Sequence, residues 1–155
     1  MSVNPELAGR VLPPRGPYLV GREKVREFSR AVFATDPLSL EPGAARAAGY
    51  ADVVAAPTFA IVIQQSCLDA LLAEPDTGID LARVLHGEQR FHYARPVVAG
   101  DLLTARLTVT TVRALAGNTM LTAETRIDDE RGAEVATATS VLVVQAGDDA
   151  GEAAR

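Results

Sequence analysis

The sequence predicts an α+β domain in which one long apolar helix is buried against an antiparallel sheet. Three observations carry that expectation. Apolar residues repeat at helical spacing in the first half of the chain, and from Val84 onward the repeat shortens to two. One segment, Phe59-Ala60-Ile61-Val62-Ile63, is apolar on every side, so other structure must enclose it. The late strands are joined by tight turns, which makes neighbours antiparallel and gives the sheet one face to bury.

Residues 1–17 are rich in proline and glycine and read as irregular. Arg22 to Phe33 reads as an amphipathic helix, with Val25, Phe28 and Val32 on one stripe. Asp36-Pro37 ends it, because the residue before proline is pushed out of the helical region. A short helical turn around Ala44 to Ala48 stops at Gly49. Pro57 then opens the core helix, since proline suits a first helical position. That helix runs to about Ala73, ahead of Pro75.

Four long strands follow. Val84 to Ala94 is broken by Arg95-Pro96, and a turn at Gly100-Asp101 leads into Leu103, Ala105, Leu107 and Val109. Ala116-Gly117-Asn118 turns the chain into Leu121, Ala123, Thr125 and Ile127. Asp129-Glu130-Arg131-Gly132 makes the last hairpin, and Glu134 to about Gln145 the last strand. Residues 1–146 are expected to form a single domain. The small, acidic stretch 147–155 reads as a disordered tail.

Composition removes several function classes. At 155 residues the chain has the length of about one domain. A net charge of −5 argues against nucleic acid, because Arg22, Lys24, Arg26 and Arg30 are interrupted by Glu23 and Glu27. The single cysteine, Cys67, excludes an intrachain disulfide and a multi-cysteine metal site. It sits among Leu68, Leu71 and Leu72 and reads as a packed, inert thiol. His86 and His92 share strand parity but lie about 20 Å apart along an extended strand, so they cannot ligate one metal. No cofactor and no metal are expected. No GxGxxG follows a strand. No apolar run approaches a membrane span, and the N-terminus lacks signal-peptide features, so a cytoplasmic protein is expected.

Several short motifs are ordered as in one family. They are Val20-Gly21-Arg22-Glu23-Lys24-Val25-Arg26-Glu27-Phe28, Gly49-Tyr50 through Ala55-Ala56-Pro57-Thr58-Phe59, His86-Gly87-Glu88-Gln89-Arg90-Phe91, and Arg95-Pro96-Val97-Val98-Ala99-Gly100-Asp101. On these the chain resembles the MaoC-like dehydratase/hydratase group, and especially its N-terminal-type, non-catalytic subunits from actinobacteria. The resemblance implies a hot-dog fold, a long central helix wrapped by an antiparallel sheet. It also implies chemistry on a 3-hydroxyacyl thioester, carried by coenzyme A or acyl carrier protein.

Active members of that group carry D-x-N-P-x-H, an aspartate and a histidine that handle the water and the proton. Here Asp36 matches, Leu38-Ser39 replace Asn-Pro, and Glu41 replaces the histidine. Active members also begin the central helix with a glycine whose N–H holds the developing oxyanion. Pro57 takes that place here and has no N–H to give. The resemblance therefore implies the acyl-channel subunit of a heteromeric (3R)-hydroxyacyl dehydratase of fatty acid metabolism. Its catalytic position would be vestigial at Asp36, with Glu41 standing in for the histidine. Candidates to contact substrate are Val53, Val54, Pro57, Thr58, Phe59, Ile61 and Ile63, with His86 and Gly87 as further candidates on the first long strand.

Plainer readings stand beside these. Asp36 before a proline is also a common capping aspartate, Glu41 a solvated carboxylate, and His86 a surface residue. A hot-dog thioesterase needs a carboxylate early on the central helix, which here offers Gln64 and Gln65 and then Asp69 too late. A homodimeric acyl-thioester-binding or regulatory protein, or a weakly active enoyl-thioester hydratase, is the alternative. A single sheet layer leaves open edges, so a dimer is expected, with an identical chain or a catalytic MaoC-like subunit.

Overall fold

The computed structural model describes residues 3–146, and the expected tail at 147–155 lies outside the described residues. A single antiparallel sheet of five strands forms one layer: β1 (Arg15–Leu19), β2 (Val84–Tyr93), β3 (Leu102–Leu115), β4 (Asn118–Asp128) and β5 (Glu134–Val144). Their order is β1-β3-β4-β5-β2. The three hairpin-connected strands therefore form the centre, and β2 is carried across to the far edge beside the last strand. The helices are α1 (Arg22–Ala31), α2 (Pro37–Leu40), α3 (Pro42–Ala47) and α4 (Ala60–Ala73).

The two-residue alternation is realised as burial. Leu103, Ala105, Leu107 and Val109 of β3, Leu121, Ala123 and Ile127 of β4, and Ala136, Ala138 and Leu142 of β5 are all buried. They face α4, whose Ala60, Ile63, Cys67, Leu68 and Leu71 are buried in turn. Phe28 of α1 closes the other end of this core by meeting Phe59 edge-on, with ring centroids 5.3 Å apart.

Four details depart from the sequence expectation. The irregular N-terminus contains β1, which pairs with β3 from Arg15↔Ala105 to Leu19↔Leu102. Gly16 approaches β3 so closely that a Cβ there would lie 2.7 Å from the Leu103 carbonyl oxygen, so only glycine fits. The first helix ends at Ala31, with Phe33 in a left-handed conformation beyond it, and Asp36 starts α2 instead of ending α1. The core helix begins at Ala60 rather than Pro57. Residues 57–59 form a tight turn in which Phe59 N–H bonds Ala56 and Ile61 N–H bonds Thr58. Finally, α4 is not wholly enclosed, because Ile61 and Val62 stay half-buried on its outer side.

Candidate functional site

The candidate residues gather around a short extended segment, 53–55, that leads into α4. On one side it pairs with 97–99: Ala99 N–H donates to Val53 O at 2.9 Å and Ala55 N–H to Val97 O at 2.8 Å. The turn after 97–99 is fastened by Arg95, which grips Asp101 through two nitrogens at 2.8 and 3.1 Å, while the same carboxylate accepts from Val98 N–H. This explains the Arg95-Pro96…Gly100-Asp101 motif as a structural clasp. On the other side, Val54 N–H donates to Leu38 O at 2.9 Å and the buried Ser39 hydroxyl donates to Val54 O at 2.6 Å.

A second clasp ties α1 to the same segment. Arg22 meets Asp52 side-on, with Nε–Oδ1 at 2.9 Å and Nη2–Oδ2 at 2.6 Å. Val53 N–H adds a bond to Oδ1 at 2.7 Å. The Arg22 guanidinium, then the Val53 N–H, hold the Asp52 carboxyl down to about 2.

The loop 36–41 brings Asp36 and Glu41 close to this segment but gives them different work. Asp36 caps α2: its Oδ1 accepts from Leu38 N–H at 2.9 Å, and Pro37 occupies the first helical position. Glu41 is exposed; its backbone ends α2 and begins α3, and its side chain makes no capping bond. Neither carboxylate bonds the other or a histidine.

Pro57 and Thr58 are exposed at the start of α4, whereas Val53, Phe59 and Ile63 are built into the core, the first two with no exposed surface. Val54 is half-buried between its two tethers. Ile61 faces away from the sheet, into a groove between α1 and α4. A residue missed by the sequence reading completes the helix start: Tyr93 Oη donates to the Pro57 carbonyl at 2.6 Å. Burial raises the Tyr93 phenol above the ordinary tyrosine value, an effect partly opposed by the Ala60 backbone amide.

His86 and Gly87 lie elsewhere. Gly87 is an extra residue in β2: His86 pairs with Leu142 and Glu88 with Val141. This bulge reverses the strand's parity. His86 and His92, expected on one face, therefore lie on opposite faces, and His86 joins Gln89, Phe91 and Tyr93 on the helix-facing side. Seven residues separate His86 from Tyr93, on the order of 20 Å along a strand. The fold does not bring His86 to the Pro57 end of α4.

Behind His86 runs a buried polar chain that sequence reasoning also missed. Gln64, fully buried on α4, donates through Nε2 to Ala138 O at 3.1 Å and Thr125 Oγ1 at 3.2 Å. Its Oε1 accepts from Gln89 Nε2 at 3.0 Å. Gln89 Oε1 accepts from the buried Ser140 hydroxyl and meets His86 Nε2 at 3.0 Å. A glutamine inside an apolar helix was the available signal, since a buried amide demands partners. Among the described residues no group of three or more histidine, cysteine, aspartate or glutamate side chains is placed to hold a metal. No helix among them is long and apolar enough to cross a membrane.

Comparison with known proteins gives a consistent picture. The model of the FAS1-like dehydratase domain region matches residues 6–138. A UPF0336 protein of Clavibacter michiganensis is 67% identical over 150 residues, 97% of this chain and 100% of that one. A UPF0336 protein of Streptomyces coelicolor is 43% identical over 97% of this chain and 100% of its own length. Among solved structures, a chain of the HadBC (3R-hydroxyacyl-ACP dehydratase) complex of Mycobacterium tuberculosis superposes with a TM-score of 0.79 at 28% identity, covering 88% of this chain and 96% of that one. A MaoC-like dehydratase reaches a TM-score of 0.84 at 34% identity over 92% of this chain, which spans only 43% of that longer chain.

Proposed function

The chain belongs to the FAS1-like dehydratase family, with the hot-dog fold of the MaoC-like dehydratases, and from that premise we propose that it is the acyl-binding, catalytically incomplete subunit of a heteromeric (3R)-hydroxyacyl-thioester dehydratase. The observation that carries this reading is the state of Asp36. Its carboxylate caps Leu38 N–H and has no imidazole beside it. His92 lies on the sheet face turned away from the helices, and His86 lies far along β2. Removing the histidine as acid/base costs ~10²–10⁴ in rate.

A second deficit compounds the first. Pro57, at the place where active members of the group carry a glycine, has no N–H to hold a thioester oxygen. A missing oxyanion donor costs a further ~10²–10³. The HadBC complex, whose chain is 28% identical to this one, joins more than one kind of subunit in a 3R-hydroxyacyl-ACP dehydratase, which supports a division of labour. Val54, Pro57 and Thr58 are the candidate positions reachable by an acyl thioester, with Val53, Phe59 and Ile63 as the apolar wall behind them. A partner hot-dog subunit would supply the histidine.

The test is hydration of a crotonyl thioester by the purified chain, alone and mixed with a hot-dog subunit bearing D-x-N-P-x-H. Turnover only in the mixture supports the reading. Turnover by the chain alone at the rate of a complete hydratase overturns it.

A further inference from the structure

The end of α1 carries a side chain that the isolated chain cannot account for. The helix closes with a Schellman arrangement: Phe33 N–H bonds Arg30 O at 3.1 Å and Ala34 N–H bonds Ser29 O at 2.8 Å. The position where such a cap turns is usually glycine, because it needs positive φ. Here it is phenylalanine at φ 58°, a bulky residue in a conformation that bulky residues avoid. Its ring is 90% exposed, and Val32 beside it is 44% exposed. The backbone is strained to hold an aromatic ring in water, and nothing in the described residues packs on it.

An apolar groove runs along the same helix. The groove between α1 and α4 has a volume of about 410 Å³ and is floored by Phe28, Ala31, Ile61 and Val62, with Lys24 and Glu27 on its rim. Arg30, exposed next to the projecting ring, has no ion-pair partner among the described residues, whereas Glu27 holds Lys24 only at 3.4 Å. Helix α1 thus ends in an apolar knob beside a free cation, and along its side runs an apolar groove rimmed by the Lys24–Glu27 pair. A two-fold pairing joins each to its complement twice and closes on itself.

We infer that Phe33 is an assembly anchor, seated in the α1–α4 groove of a second copy of this chain. The joint lies on the helical layer, so it leaves the open edge of β2 free for a different hot-dog subunit. It does not depend on the catalytic reading of the site.

Sedimentation velocity on the full chain at micromolar concentration, with chemical unfolding in parallel, tests it. Phe33→Gly relieves the left-handed strain, so it raises the unfolding midpoint of the monomer while weakening the pair by roughly 30-fold or more, the loss expected for an aromatic anchor. Ala31→Trp fills the groove and also abolishes self-pairing. Mixing the two variants restores a weaker pair with one intact joint. The inference is overturned if the wild-type chain is monomeric, if Phe33→Gly pairs as tightly as wild type, or if association occurs only with a different subunit.

Discussion

The Gln64 side-chain amide donates to the Ala138 backbone carbonyl at 3.1 Å, and this contact sets the proton on a histidine three links away. A backbone carbonyl only accepts, so the Gln64 end that meets it is the NH₂ group. The Gln64 oxygen therefore faces Gln89, which must present its own NH₂. The Gln89 oxygen is left to face His86 Nε2, and that nitrogen must carry hydrogen. The neutral ring is the Nε2–H tautomer, with the Nδ1 lone pair free. Nitrogen NMR at mildly alkaline pH should show a protonated Nε2 and a bare Nδ1. Gln89→Leu should abolish that preference without unfolding the chain. A ring found as the Nδ1–H tautomer in the wild-type protein contradicts the network.

Gln64 itself should be expensive to lose. Gln64→Leu removes the amide that meets the buried Thr125 hydroxyl, and takes one partner each from the Ala138 carbonyl and the half-buried Gln89 amide. Each buried group left unpaired costs about 1–3 kcal/mol. A drop of this size in unfolding free energy by urea titration is expected, against little change for the exposed neighbour Gln65→Leu.

Tyr93→Phe removes the bond to the Pro57 carbonyl. The expected loss is about 1 kcal/mol at neutral pH. Because the folded-state phenol is raised above its unfolded value, its contribution is complete below the unfolded value and fades as pH climbs through the folded one. Wild type and variant should therefore converge in stability at strongly alkaline pH.

Asp52 gives the opposite dependence. Its folded carboxyl is lowered to about 2 by Arg22 and the Val53 amide, against roughly 3.9 in an unfolded chain. The stabilisation is present above the unfolded value and is lost as pH falls from about 4 toward 2. Asp52→Asn should be less stable than wild type at pH 7 and should flatten the acid limb of thermal denaturation. An unchanged acid limb would show that the Arg22 clasp does not form.

Much of the fold is legible in the sequence because its long elements repeat. The stripe of Val25 and Phe28, the all-apolar start of α4, and the alternation of Leu103, Ala105, Leu107 and Val109 each bury what their period requires. Membership of the family was legible too, in the order and spacing of several short motifs. What escaped are features that no period announces. β1 has five residues, with glycine and proline among them, too few to alternate. Asp36 could be read as catalytic remnant or cap until Leu38 N–H was seen to point at it.

The tertiary structure decided the rest. Gly87 inserts one residue into β2 and reverses its parity, a shift detectable only once the strand is paired with β5. That shift brings Gln89 under Gln64, and crossing of β2 to the sheet edge brings Tyr93 over Pro57. The amino-acid sequence determined which segments coil and which extend, because burial of apolar side chains acts through local spacing. Which polar groups meet across 25, 36 or 76 positions was settled only by the packed chain, where a buried donor or acceptor is costly to leave unpaired and distance along the sequence no longer matters.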